Sequence, residues 1–315
     1  MKSDRLTRWI YPTLGLLLLS FSLYVLHQEL GRYQLEDLLH SLSLISDRQL
    51  CGALSFACLG FLVISSYDLV AFQYLNHYLN RKRILFATFI TYAVSNTTGF
   101  TLLIGGGIRY RFYSFWGVPT RIIARITALG NLTFWLGLLT VSGITFVINP
   151  LQLPPSLKIE ITAIRYLGVA AIIAVSTYLY FGWRRKRWKI KGRIFRFPQP
   201  ATSLTQITVF ALDWALAAAI LYCLIPDYPN KSYDQFFNIY LFSMTASIMS
   251  HIPGGIGVFE TVVMFLLPKN LATPDILSSL LVYRAIRFLL PLSIALILIV
   301  WFEVRRKLRT RPEQD

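Results

Sequence analysis

Long apolar runs alternate with short polar clusters along most of this chain. The uninterrupted runs cover roughly residues 9–26, 50–75, 122–148, 161–181, 204–225 and 276–301. A helix rising about 1.5 Å per residue crosses a hydrocarbon core of about 30 Å in some twenty residues, so each run predicts a spanning helix. Two other apolar regions are broken. Residues 84–98 start a helix that meets Ser95-Asn96-Thr97-Thr98-Gly99-Phe100 and then Gly105-Gly106-Gly107-Ile108-Arg109-Tyr110-Arg111. A second helix arrives from Phe236 and meets Ser250-His251-Ile252-Pro253-Gly254-Gly255-Ile256-Gly257, after which 258–267 is too short to cross. Proline lacks an N–H and glycine prefers non-helical backbone, so both helices end there with peptide groups to satisfy. In lipid such backbone survives only beside protein or water. The fold expected is all-α, a polytopic transmembrane bundle with two opposed re-entrant or broken-helix hairpins.

Charge orients the bundle. Assigning residues 1–8, 76–83, 109–121, 183–203 and 302–315 to the cytoplasm gathers 22 Lys and Arg there and leaves five, Arg32, Arg48, Lys158, Lys231 and Lys269, outside. The positive-inside bias then puts both termini in the cytoplasm, opens the first hairpin inward and opens the second outward. Residues 1–8 and 303–315 read as basic tails and 9–302 as one membrane domain. Residues 27–49 carry Leu35, Leu38, Leu39 and Leu42 at helical spacing and read as an interfacial helix. The first apolar run ends at His27 without a small-residue cleavage site, which favours an uncleaved span over a signal peptide.

Composition agrees, with 55% hydrophobic residues and a mean hydropathy of +0.54. The net charge of +16 sits in short clusters between spans, so it reads as topology and not as a nucleic-acid surface. The densest cluster, residues 184–196, is expected to anchor on the inner leaflet. Cys51, Cys58 and Cys223 lie in apolar runs without metal-ligand spacing and call for no redox role, metal or cofactor. No nucleophile elbow, P-loop or HExxH is present, so no enzymatic chemistry is expected.

What remains is a set of charges at membrane depth: Arg109, Asp213, Glu260, Arg284 and Arg287. Each costs roughly 2.5–3.5 kcal/mol at a helix centre, so they must be paired or hydrated. Arg284 and Arg287 are three apart, share a helical face and can meet Glu260 or Asp213. Two readings follow: a structural ion pair, or a hydrated, net-positive cavity suited to phosphate. His251 reads as a hydrogen-bonded core residue before a proton switch. Asp68 lies nearer the inner interface and reads as a packing cap.

Pro253-Gly254-Gly255-Ile256-Gly257-Val258-Phe259-Glu260, then Tyr283-Arg284, preceded by Asn96 and by Gly105-Gly106-Gly107-Ile108-Arg109-Tyr110-Arg111, resemble the transmembrane, flippase-like domain of lysylphosphatidylglycerol synthases, and in particular its stand-alone YbhN-like inner-membrane branch. The resemblance implies a bacterial inner-membrane domain that binds and moves phospholipid. Two-domain members carry aminoacylated phosphatidylglycerol as cargo and a soluble aminoacyl-transferase domain, whose activity is not expected of a chain that ends at Asp315. The expected site joins Asn96, Gly106, Arg109, Asp213, His251, Pro253, Gly255, Gly257, Glu260, Tyr283, Arg284 and Arg287 around an anionic phospholipid. A second copy of the chain or a lipid-synthesis enzyme is a possible partner. The alternative function is a non-transporting lipid-binding partner or scaffold for a lipid-modifying enzyme.

Overall fold

The computed structural model describes residues 40–98, 101–150, 161–184, 187–190, 193–196, 198–229, 231–250, 253–268 and 271–309. The expected first span, residues 27–39 of the interfacial helix and His251 lie outside the described residues. Among the described residues, five helices are long and apolar enough to cross a membrane. The protein is a polytopic helical membrane protein.

The first described crossing is made of α1 (Asp47–Ser65) and α2 (Tyr67–Tyr74). A capping box of Ser46 and Gln49 starts α1, satisfying N–H groups that a helix end leaves open. It bends at Ser65 and Ser66, whose hydroxyls donate to the carbonyls of Phe61 and Val63, each at 2.6 Å. Such back-bonding competes with the helical ladder and bends it. The other crossings are α5 (Thr120–Ile148), α6 (Ile161–Trp183), α7 (Pro200–Leu224) and a terminal pair, α10 (Thr273–Arg284) and α11 (Leu290–Arg309), joined through a π-turn at Ala285–Leu289. Their bounds follow the apolar runs to within a few residues, except that α11 continues eight residues past the expected end at 301, into the expected basic tail. The basic stretch between α6 and α7 forms an antiparallel hairpin, β1 (Arg187–Ile190) with β2 (Arg193–Arg196), which the helical expectation did not include.

Small residues let these helices approach closely, as in membrane bundles generally. A Cβ on Gly137 of α5 would lie 2.2 Å from the Phe210 ring of α7, and one on Gly168 of α6 would lie 2.9 Å from the Gly143 carbonyl of α5.

The broken regions form two hairpins. Helices α3 (Arg81–Thr98) and α4 (Thr101–Phe115) pack side by side. At 1.5 Å per residue they measure about 27 and 22 Å, short of a full crossing. α4 begins at Thr101, so Gly105, Gly106 and Gly107, expected in the tip, lie inside it. The second hairpin is α8 (Tyr233–Met249), a 3-10 turn at Pro253–Gly255 and the nine-residue α9 (Val258–Leu266). The first starts and finishes at the end of the bundle that holds links 75–80 and 116–119. The second starts and finishes at the opposite end, where Asn149 bonds Asp234 and Asn238, and Ser279 bonds the carbonyl of Leu224.

Each hairpin has its own core. Phe210, Trp214, Tyr240, Phe259 and Tyr283 centre one, and Phe72, Phe112, Tyr113, Ile126 and Leu292 centre the other. The tips touch between the cores: a Cβ on Gly254 would lie 3.0 Å from the backbone carbonyl of Thr97.

Candidate functional site

The second tip is built by glycine. Gly254, Gly255 and Gly257 have φ of 63°, 59° and 84°, a left-handed region that side-chain-bearing residues rarely enter. Gly255 has a further requirement, since a Cβ there would sit 1.5 Å from the Ser247 hydroxyl. The turn ends where the Gly257 N–H donates to Glu260 Oε2 at 2.8 Å, capping α9. The other Glu260 oxygen accepts from Arg284 Nε, and the same guanidinium faces the carbonyls of Gly254 at 3.4 Å and Gly255 at 3.5 Å. Arg284 therefore ties the tip to the last span.

Arg287 follows within the π-turn. It meets a different carboxylate from Arg284, Asp213 Oδ1 on α7, at 3.0 Å. Glu260 and Asp213, the two acids expected as partners, thus take one arginine each. A π-turn of this kind often marks a functional position in a helix. Asp213 Oδ2 also accepts from Tyr67 at 3.3 Å. Tyr283, buried one residue before Arg284, shares a 2.8 Å hydrogen bond with the Tyr240 hydroxyl.

A third pair lies deeper in the first half. Arg109 on α4 donates to both oxygens of Asp68, at 2.9 and 2.8 Å, and each side chain is 1% exposed. Tyr113 donates to the same carboxylate at 2.7 Å, and the Tyr92 ring lies 5.1 Å beneath the guanidinium. A bidentate pair with a further donor suits a charge withdrawn from water. Asp68 is a full partner in this pair, not the interfacial cap expected. Arg109 consequently does not join Arg284 and Arg287 in one cavity.

Tyr67 and Asp68 are chain neighbours at the bend after α1, and through them the two inner pairs communicate. Tyr67 reaches Asp213, Asp68 holds Arg109, and the Tyr67 and Tyr92 rings contact at 5.2 Å. Among the described residues, three arginines thus face three carboxylates, the ion-paired arrangement that was one of the two readings of the sequence.

A small cleft opens beside Arg287, lined also by Phe61, Phe89, Tyr92, Asn96 and Pro291. Its volume of about 10 Å³ is roughly that of one water site. Asn96 is therefore brought to Arg287. Gly106 is not, because it faces α5, where a Cβ would meet Thr127 at 3.5 Å. Pro253 opens the 3-10 turn through its backbone. Among the described residues, no group of three His, Cys, Asp or Glu side chains is close enough to hold a metal ion. The tyrosines at 67, 92, 113 and 240 carried no sequence signal of their own; Asp68 did, as a lone carboxylate in an apolar helix.

Residues 12–295 match the family described as the lysylphosphatidylglycerol synthase TM region. The chain belongs to that family. It is 39% identical over 304 residues to the Synechocystis protein slr0712, covering 96% of this chain and 94% of that one. It is 33% identical over 270 residues to the Escherichia coli inner membrane protein YbhN, covering 84% and 83%. A phosphatidylglycerol lysyltransferase of Staphylococcus aureus is 25% identical over 289 residues, which is 91% of this chain but only 33% of that protein. The match to slr0712 and YbhN covers more than four fifths of each chain, and the match to the lysyltransferase involves one third of its length.

Proposed function

We propose that this chain is a bacterial inner-membrane phospholipid flippase or lipid-transport protein with no enzymatic step of its own, binding an anionic lipid headgroup at a midplane site around Arg284 and Arg287. Both termini and the β1–β2 hairpin face the cytoplasm, with residues 9–302 as the single transport domain. The observation that carries this reading is the contact between two oppositely entering hairpin tips beside two partly buried arginine–carboxylate pairs, the arrangement in which half-helix ends can serve a substrate from either side.

In the mechanism, a headgroup phosphate takes the place of a carboxylate on Arg287, where the cleft already reaches the guanidinium. Asp213 keeps Tyr67 as its donor. The cleft holds about one water, so admitting a headgroup requires the tip to move, and Arg284 is the tie that must let go of Glu260, Gly254 and Gly255. Alternate release and recapture of this tip would open the site to one side and then the other. Asp213 and Glu260, once exchanged, balance a headgroup cation or take up a proton.

Reconstitution into liposomes with fluorescent phosphatidylglycerol tests this directly. Wild-type protein is expected to give leaflet exchange above protein-free vesicles, and Arg287→Gln and Glu260→Gln are expected to slow it roughly tenfold or more, as loss of a charge-assisted bond implies. Neutralising the β1–β2 hairpin should leave exchange unchanged. The opposite pattern would favour a scaffold, and no exchange with any lipid would overturn the proposal.

A further inference from the structure

Far from the tips, the first turn of α3, the last turn of α4 and the last turns of α11 converge on a patch of rings and guanidinium groups. Phe302 is central, with ring centroids 5.0 Å from Phe112 and 5.3 Å from Phe115, and Phe86 joins Trp301 at 6.2 Å. Three arginines lie over these rings: Arg305 over Trp301 at 4.3 Å, Arg306 over Phe115 at 5.5 Å and Arg83 over Trp116 at 5.8 Å. Arg111 pairs with Glu303, and Arg306 approaches the same carboxylate at 4.0 Å. Among the described residues, the patch gathers four arginines and one acid.

Packing alone does not call for this arrangement. Trp301 and Phe115 remain 47% and 50% exposed, and Arg83 and Arg305 are exposed. Arg81, Lys82 and Arg83 occupy the first turn of α3, which has no acidic residue. Cations there oppose the helix macrodipole, a local cost that an anion would relieve. Beside the patch, Ile297, Val300 and Val304 form an exposed apolar strip at i, i+3 and i+7 along α11. One molecule matches both features, with a phosphate at the guanidinium groups and acyl chains on the strip.

We propose that this patch is a docking site for an anionic phospholipid of the adjoining leaflet, separate from the interior pairs. Arg83 precedes Asn96 by thirteen residues on one helix, about 20 Å along its axis. Lipids with a net negative headgroup are selected over zwitterionic ones, because a headgroup ammonium would face the same four arginines.

Titration of phosphatidylglycerol and phosphatidylcholine into the purified full chain, read by native mass spectrometry, tests the site. The wild type is expected to prefer phosphatidylglycerol. Arg83→Gln with Arg305→Gln should weaken that lipid roughly 30-fold, from the contribution of two basic residues at an anionic surface, and Arg83→Lys with Arg305→Lys should retain the preference. The preference for phosphatidylglycerol that persists in Arg287→Gln is the patch's own, and it should disappear when Arg83→Gln and Arg305→Gln are added to that variant. On the unmodified protein, brominated phosphatidylglycerol should quench tryptophan emission more than brominated phosphatidylcholine, with the difference lost at high salt. Equal affinity for the two lipids, an unaffected double glutamine variant, or displacement by inorganic phosphate would overturn the proposal.

Discussion

At the residue scale, the determining fact is that each deep arginine has its own acid. Removing one member of such a pair leaves an uncompensated charge, which costs about 3–5 kcal/mol, whereas replacing both with apolar side chains of similar volume is often close to neutral. Asp68 and Arg109 are the most enclosed pair, so Arg109→Met alone is expected to lower the thermal midpoint in detergent sharply. Asp68→Leu with Arg109→Met should recover most of the loss. Recovery in the double variant distinguishes a structural pair from a transport residue, because Arg287→Gln is expected to affect lipid exchange first. The distribution of these acids also explains why the paired cluster is neutral despite the chain's net charge of +16.

At the element scale, two glycine clusters that look alike in sequence do different work. Gly106 lies within α4, where alanine is favoured over glycine by about 0.5–1 kcal/mol and where a Cβ would meet Thr127 at an ordinary 3.5 Å. Gly255 lies in left-handed backbone against Ser247. Gly106→Ala is therefore expected to leave the melting temperature unchanged or raise it, and Gly255→Ala to lower it, both read by a thermal shift of the purified protein. The sequence marked both clusters as helix breakers. Three glycines in a row do weaken a helix, but α5 packs against α4 and holds it through that stretch; the Pro253 segment has no such continuation, since proline removes a donor and three glycines adopt positive φ.

At the scale of the whole molecule, the hairpins enter from opposite ends and meet between two separate cores. Single cysteines in a cysteine-free background provide the check. Cysteines at positions 80 and 117 should react with an impermeant reagent from one side of the membrane, and cysteines at 150 and 228 from the other. Labelling of all four from one side would remove the opposed geometry on which alternating access depends.

The sequence by itself determined the class of protein, its crossings from Ile122 onward to within a few residues apart from the far end of the last, and the two places where helices fail. Those properties are local: the length of an apolar run against the thickness of a bilayer, and the backbone chemistry of proline and glycine. It also brought Arg284 and Arg287 to notice, because charges in apolar helices are rare. Only the tertiary structure decided which acid each arginine meets, that Asp68 belongs with Arg109, and that a π-turn separates Arg287 from Arg284. Those choices depend on how helices far apart in sequence rotate against one another. A hydrophobic pattern specifies that a face is buried, but not which polar group on a distant helix lies opposite it.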